Sequence, residues 1–506
     1  MAQKRLLARN TIYNAVAQVA QMASAFVFMP FLIRLFGASN YGVFLLAGSV
    51  TGYLGLLDLG VGASLTKRVA EFRAREAERE LDAVISSALL FYAVVGLIGA
   101  ATMVALALFA VPHFNLTAEQ QQLATRMLLI AAAGPPLLWP LGVGGQVLAG
   151  LQRYDLTARV AFVTVIASAC VTVYVLLSHE GPLFLLVAGL AVSVCASLVN
   201  LVLARRSLRT ASFHPGKASK SGVISLFSIS WAVFIVQICT LIVYQATDRL
   251  VLGVFIGAAA ITLYEAAAKL QGLVIQVAAL PVSAVMPAAS ELQAQGRMDS
   301  VRTLWLRGTK YTALFVLPIV VTLMVVARPL LLRWLGPAYA AQTLAAQVIL
   351  SYWLVNANLP VGHAMLYGLG KIRALLVIVV TQTILNLVIS IVLVQRIGIM
   401  GVVIGTALPF ILMFPAHIAL QLRVFELKVS DWVQGVAVRV YPLLLLPIGL
   451  GLLLSRTALG ESLVGVAATL VIAVGAYWLS AIFVSLTASE RAELAGFARI
   501  VRDKLR

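Results

Sequence analysis

The chain has 506 residues, with 37 Lys and Arg against 19 Asp and Glu, a formal net charge of +18, 61% hydrophobic residues and 11% charged ones. Soluble proteins carry about 25% charged residues. This composition, with a mean hydropathy of +1.00, therefore excludes a disordered chain, argues against a soluble enzyme and leaves a polytopic membrane protein. A helix and its connector take roughly 35 residues, which leaves room for about fourteen spans.

In chain order, the basic start (Lys4, Arg5, Arg9) superficially resembles a signal peptide. The apolar run from Thr11 to Leu35 is too long for one, carries Asn14, Gln18 and Gln21, and is closed by no A-x-A site, so it reads as a retained first span. Runs of bilayer length follow, giving spans near 10–34, 41–65, 83–111, 122–149, 157–178, 182–204, 223–252, 257–287, 306–327, 341–367, 372–395, 399–422, 433–455 and 462–486. Gly134-Pro135-Pro136, Pro281, Pro287, Pro318 and Pro360 mark breaks. The runs do not alternate polar with apolar residues, so they are helices rather than barrel strands. With the N-terminus inside, the outer segments hold only Arg34, Arg328, Arg333, Arg396 and Arg456, and most other Lys and Arg lie inside. That asymmetry predicts both termini in the cytoplasm, and it explains the net charge through topology rather than nucleic-acid binding.

The expected organisation is an N-lobe over 1–204, a basic cytoplasmic connector over 205–222 with Pro215 and Gly216, and a C-lobe over 223–424. Two further spans over 425–487 and an amphipathic cytoplasmic helix over 488–506 (Leu494, Phe497, Ile500, Val501, Leu505) complete it. A weak repeat underlies the lobes. Leu35-Phe36-Gly37-Ala38 aligns with Phe255-Ile256-Gly257-Ala258, Gly52 with Gly272, Glu71 with Glu291, and Ala149-Gly150-Leu151 with Tyr367-Gly368-Leu369, all at a nearly constant offset. Six spans fit within that offset, so the halves share an orientation. The expected fold is all-α, with two six-helix lobes related by a pseudo-two-fold axis along the membrane normal, a cavity between them and two C-terminal helices. Cys170, Cys195 and Cys239 have no disulfide or zinc spacing. The histidines His113, His179, His214, His363 and His417 are scattered, and Gly368-Leu369-Gly370-Lys371 is too incomplete for a nucleotide-binding loop.

Several motifs resemble the polysaccharide-transport branch of the multidrug/oligosaccharidyl-lipid/polysaccharide (MOP) exporter superfamily. They are Leu56-Leu57-Asp58-Leu59-Gly60-Val61-Gly62, Asp248-Arg249-Leu250-Val251-Leu252-Gly253, Leu263-Tyr264-Glu265-Ala266-Ala267-Ala268-Lys269-Leu270, Gly370-Lys371-Ile372-Arg373, Leu385-Asn386-Leu387 and Gly398-Ile399-Met400-Gly401. The resemblance implies a two-lobed transporter of the bacterial inner membrane. Such a protein flips an undecaprenyl-diphosphate-linked glycan to the periplasmic leaflet for an O-antigen, capsule or exopolysaccharide pathway. It has no catalytic residues, and its neighbours are membrane lipids and, in the pathway, a glycan polymerase and glycosyltransferases.

A flippase must offer cations to phosphate and hydrogen-bonding groups to sugar. An intramembrane charge costs about 2.5–3.5 kcal/mol, so one that persists is a functional candidate. Lys269 lies roughly 18 Å into its span at 1.5 Å per residue, and by resemblance it takes the basic position of a Tyr-x-x-Ala-x-basic-Leu pattern near a cavity arginine of lipid II flippases. Glu265, one turn earlier, forms with it either a neutralising structural pair or a pair that opens when phosphate competes or when Glu265 takes up a proton. Gln237, Tyr244 and Gln245 precede Asp248 on one polar face. Asp248 is a cavity group or a helix-end residue, and Asp58 is an ion carrier or a partner of Lys67 or Arg68. Asp58, Asp248 and Glu265 are the acids within spans, hence the candidates for proton or sodium coupling; no other cofactor is expected. Asn14, Gln18 and Gln21 form a stripe that either lines the cavity or binds helices together. Lipid II flippases carry arginine in this span, and its absence argues against that substrate. Arg126 and His363 are further cavity candidates. Lys67 and Arg68 either set topology or attract diphosphate at the cytoplasmic entrance. A drug exporter of the same architecture is the main alternative. A membrane glycosyltransferase or polymerase ranks third, because the outer-loop acids Glu119, Glu180 and Glu461 lie far apart.

Overall fold

The structure is a computed structural model. It describes residues 2–208, 213, 215–227, 231–242, 247–280, 282 and 285–493, with side chains from residue 20 onward except 22, 215, 231–233 and 237. Among the described residues the regular structure is entirely helical. α1 (Ala2–Tyr53) is broken at Gly37 (φ 76, ψ 156). Only glycine adopts this backbone without a steric penalty, so one residue separates the two expected spans. The second span ends sooner than expected. A 3-10 turn over Leu54–Asp58 and left-handed residues Leu59 (φ 51) and Gly60 (φ 77) close it, and α2 (Val61–Ala74) starts afresh.

α3 (Glu78–Ala105) follows, then α4 (Ala118–Ala131), capped by a reciprocal Thr117–Gln120 box, and α5 (Gly134–Gly150). α4 and α5 together make one membrane-crossing stretch, Ala118–Gly150, as expected, with the expected break at Gly134-Pro135-Pro136 inside it. The break falls where Pro135 and Pro136 remove backbone donors, which suits the first turn of a new helix and not the interior of an old one. α6 (Tyr154–Ser178), α7 (Pro182–Ser207), α8 (Lys220–Leu226), α9 (Trp231–Leu241), α10 (Thr247–Phe255) and α11 (Ala258–Ala279) come next. After α12 (Val285–Ala294) and the long α13 (Met298–Trp334) come four short helices, α14 (Pro337–Ala340), α15 (Thr343–Ser351), α16 (Trp353–Asn356) and α17 (Pro360–Gly368). α18 (Ile372–Ile397), α19 (Ile399–Val424), α20 (Val429–Trp432), α21 (Val438–Val440), α22 (Leu445–Ser455) and α23 (Leu463–Val484) complete the order.

Among the described residues, eleven helical stretches are long and apolar enough to cross a membrane. The pair Thr343–Asn356 and Pro360–Gly368, bent by 52°, makes up to twelve. The chain is thus a multi-pass membrane protein. About fourteen spans remain compatible with it, since Gly37 divides one counted stretch and the expected span over 223–252 is described as the short helices α8, α9 and α10.

The chain divides into two compact units, Met1–Thr262 and Leu263–Arg506. This division departs from the expected 1–204, 205–222 and 223–424, for reasons visible in the packing. Lys217 pairs with Asp82 at 3.4 Å, the Ser219 N–H donates to Ser87 Oγ at 3.2 Å, and the Ser225 carbonyl accepts from Ser64 and Arg68. The described part of the connector is therefore docked on α3, and Ser225 just beyond it is bonded to α2. α10 and the start of α11 belong to the first unit too. Arg249 donates to Ser49 at 3.2 Å, Asn115 binds the carbonyls of Gly253 and Ile256, and Thr262 donates to the Ala38 carbonyl at 2.6 Å. Gly42 permits that approach, because a Cβ there would fall 1.9 Å from the Ala258 oxygen.

The first unit has two apolar cores, one around Val61, Leu65, Ile85 and Val147 and one around Val43, Met103, Met127 and Leu128. The second has a core around Trp305, Met365, Leu366 and Phe425. The apolar stretch of α7 buries none of its residues within the protein, whereas that of α13 buries 67%. An apolar helix left this open is suited to lipid as its solvent.

Candidate functional site

The site begins on α11. Its one-turn spacing brings Lys269 Nζ to 3.2 Å from Glu265 Oε1, with the glutamate side chain 1% exposed and the lysine 30% exposed. Tyr264, Ala266, Ala267 and Leu270 are buried around the pair and fix the helix rotation. Gln271 holds the next turn by donating to Tyr352 Oη at 2.8 Å, and Tyr352 is stacked on Phe410 at 4.3 Å. Among the described residues, Glu265 is the one ion-pair partner of Lys269. An ammonium has three donors, so part of its capacity remains open on its exposed side.

The other candidates divide between the two units. Asp58 ends the 3-10 turn of the first unit, where its carboxylate accepts from the Gly60 N–H at 3.1 Å, the Gly62 N–H at 3.3 Å and the Tyr92 hydroxyl. It ties down the turn that leads into α2 and, among the described residues, pairs with neither Lys67 nor Arg68. Arg68 instead pairs with Glu71 at 2.9 Å, Glu71 also binds Arg75 at 3.1 Å, and Lys67 is exposed. Asp248 is buried in the first turn of α10, within the first unit, beside the Thr247–Tyr53 hydroxyl bond and the Arg249–Ser49 bond.

Arg126 is exposed on α4 and has no ion pair among the described residues. Gln21 is exposed on α1; the side chains of Asn14, Gln18 and Gln237, and all of Tyr244 and Gln245, lie outside the described residues, as does 494–506 of the expected terminal helix. His363 is bonded within the second unit, its Nε2 lying 3.2 Å from His417 Nδ1.

Sequence reasoning missed two groupings. Lys310 on α13 contacts both oxygens of Glu490 at 2.6 and 2.7 Å, and Tyr311 donates to the same carboxylate at 2.8 Å. Glu490 also caps the helical turn after Thr487, accepting the Thr487 N–H at 2.8 Å. Burial pushes the Glu490 carboxyl upward, yet hydrogen bonds from Lys310, the Thr487 backbone and Tyr311 outweigh it and hold the group at about 2. A lysine within an apolar helix was the available signal. The second grouping joins His363 and His417 to Gln382, whose Oε1 lies 2.8 Å from His417 Nε2.

Comparison with known proteins places this geometry. Residues 7–293 match the family described as "Polysaccharide biosynthesis protein". A candidate O-antigen transporter of Shigella flexneri is 22% identical over 416 residues, covering 80% of this chain and 95% of that protein. The lipid II flippase MurJ in an inward closed conformation superposes with a TM-score of 0.68 at 14% identity, covering 94% of this chain and 98% of that one. An inward-facing multidrug resistance MATE transporter of the MOP superfamily gives 0.67 at 13% identity, with coverage of 81% and 98%. These likenesses establish a shared fold. With the family matched over more than half its length, the chain belongs to the polysaccharide biosynthesis proteins and has the transporter fold of the MOP superfamily.

Proposed function

We propose that this protein is a flippase of the bacterial inner membrane. With both termini in the cytoplasm, it carries an undecaprenyl-diphosphate-linked oligosaccharide from the cytoplasmic to the periplasmic leaflet by alternating access. The family membership, the Shigella flexneri relative and the MurJ-like fold support a lipid-linked glycan as cargo. The single observation that carries the reading is the asymmetric pair on α11, a sealed Glu265 beside a partly open Lys269.

The chemistry follows from that asymmetry. A diphosphate headgroup needs a cation as it passes through low dielectric, and a lysine kept inside the protein needs a counter-charge when no cargo is present. Glu265 supplies the counter-charge at rest. The diphosphate displaces it at the open side of the ammonium, so the charge stays balanced in both states. The ammonium acts as a compact point charge, which suits a headgroup that must be released on the far side.

Transport of a fluorescent undecaprenyl-diphosphate oligosaccharide in proteoliposomes tests this reading. Wild type should move the headgroup, Lys269→Arg should retain activity and Lys269→Ala should lose it. A wild-type protein that moves no lipid-linked glycan, yet accumulates cationic dyes against a proton gradient, would make it a drug exporter and Lys269 a structural partner of Glu265.

A further inference from the structure

In the second unit, His363 on α17, His417 on α19 and Gln382 on α18 form one chain of hydrogen bonds. His363 Nε2 is 3.2 Å from His417 Nδ1, and His417 Nε2 is 2.8 Å from Gln382 Oε1. His417 is 2% exposed and Gln382 5%, while His363 is half-buried. One turn beyond His417, Gln421 accepts the Trp305 indole N–H at 2.9 Å and donates to the Leu359 carbonyl at 3.2 Å, at the break of the bent span. Gly362 allows this approach, since a Cβ there would lie 1.9 Å from the Gln421 oxygen. Three helices are thus joined beside the break of a helix pair bent by 52°.

The bond directions fix how many protons the pair can take. Gln382 Oε1 only accepts, so His417 Nε2 donates and its Nδ1, in a neutral ring, accepts. His363 Nε2 must then be the donor. Its Nδ1 keeps a free lone pair and has no hydrogen-bond partner among the described residues. A proton added at that Nδ1 leaves every existing bond intact. A second proton would turn His417 Nδ1 from acceptor to donor, placing two N–H groups and two positive charges face to face.

Among the described residues no charged group is bonded to the pair. Of the groups on the helices packed around it, Glu291 binds Gln295, Arg302 pairs with Asp299 and Glu426, and Arg307 and Lys310 pair with Glu493 and Glu490. Arg328, Arg333, Arg373, Arg396 and Arg423 lie near helix ends, α15 and α16 carry no charged residue, and Tyr367 is one turn from His363. Among the described residues, His417 is the titratable group in hydrogen-bond contact with His363.

We propose that His363 and His417 form a one-proton site at the bend between Thr343–Asn356 and Pro360–Gly368, and that its occupancy couples transport to a proton gradient. The coupling rests on the flippase reading above; the proton site does not. A lone positive charge inside a membrane protein is expensive, so the proton is held only while water reaches His363. Occupancy then biases the bend, because the three bonded helices meet there.

Nitrogen-15 NMR of histidine-labelled full-length protein in lipid nanodiscs counts the protons, with His417→Gln assigning the pair. From about pH 8 to about pH 4, the two rings should change together and take up one proton between them. Gln382→Glu places a carboxylate at His417 and should hold that proton to a pH at least one unit higher. Two rings that each take a proton, rings that take none, or no effect of Gln382→Glu would overturn the site.

In proteoliposomes a proton gradient should speed wild-type flux at least threefold. His363→Gln, which removes the ring nitrogen that takes the proton, should remove the acceleration. Acceleration that persists in His363→Gln, or is absent in wild type, overturns the coupling. A wild-type protein that moves no glycan at all refutes the flippase reading and the coupling with it, while the proton count alone decides whether the site exists.

Discussion

Two lysines of the second unit lie in apolar helices beside a glutamate, and they are held in different ways. Lys310 and Glu490 have side chains 5% and 3% exposed, and the carboxylate is filled by Lys310, Tyr311 and Thr487. Lys269 is 30% exposed and meets a sealed Glu265 through one contact of 3.2 Å. A buried ion whose hydrogen-bonding capacity is used up cannot exchange partners without a large penalty. One with donors to spare can. Unfilled capacity, rather than charge at membrane depth, separates the lysine suited to cargo from the lysine that holds the fold.

The largest effect should come from breaking the filled pair. Lys310→Ala leaves Glu490 charged and buried, and is expected to destabilise the protein by about 3–5 kcal/mol. Replacing both partners with Met and Leu should recover most of that loss, because no ion is left stranded. Thermal unfolding of the purified protein in detergent measures both. A cost for Lys310→Ala below about 1 kcal/mol, the range of exposed pairs, would erase the distinction between the two lysines.

The same pair should give stability an acid limb. Glu490 is held at about 2 against an ordinary 4.5. A carboxylate lowered on folding contributes its stability above the unfolded value and loses it as pH falls through the folded one. The loss should therefore run from about pH 4.5 down to about pH 2, worth on the order of 3 kcal/mol. Melting temperatures from pH 6 to pH 3 should fall more steeply in wild type than in Glu490→Gln. Equal slopes would mean that Glu490 is not held in this way.

Much of this was legible in the sequence, for physical reasons. A bilayer demands about twenty apolar residues per crossing, so the spans stand out, and the breaks before Pro135 and at Pro360 follow from proline chemistry. The Lys269–Glu265 pair was legible because one helical turn fixes it. The Lys310–Glu490 pair joins residues 180 apart and the histidine pair residues 54 apart, and no local rule brings them together. The closed end of the second span was hidden too. Leu54–Gly60 is apolar and glycine-bearing like the run before it, and Asp58 was the single sign that the chain stops to cap a new helix. The connector over 205–222 is basic and carries Pro215 and Gly216, and its contacts with α3 come from residues far away in sequence.

A smaller effect sharpens the comparison from the side of Lys269. Glu265→Gln removes the competitor of the proposed diphosphate while keeping an amide that can bond. It should preserve transport and lower the half-saturating concentration of lipid-linked glycan a fewfold, by about 1 kcal/mol of binding. Loss of transport in Glu265→Gln, with an unchanged melting temperature, would instead make the carboxylate itself part of the transport cycle.

The smallest effect concerns Asp58, at the end of an apolar stretch of the first unit. Its carboxylate is filled by the N–H groups of Gly60 and Gly62 and by Tyr92, so the rule drawn from the two lysines assigns it to the fold rather than to a coupling ion. Asp58→Asn keeps one oxygen to accept from one of the two N–H groups but loses the charge that strengthens these bonds. It should cost about 1 kcal/mol in thermal unfolding, the usual worth of a helix cap, and leave flux in proteoliposomes within about a factor of two of wild type. A tenfold loss of flux from a stably folded Asp58→Asn protein would show that a filled carboxylate can still carry the ion. Spare capacity would then cease to be the mark of function in this molecule, and exposure alone would set Lys269 apart from Lys310.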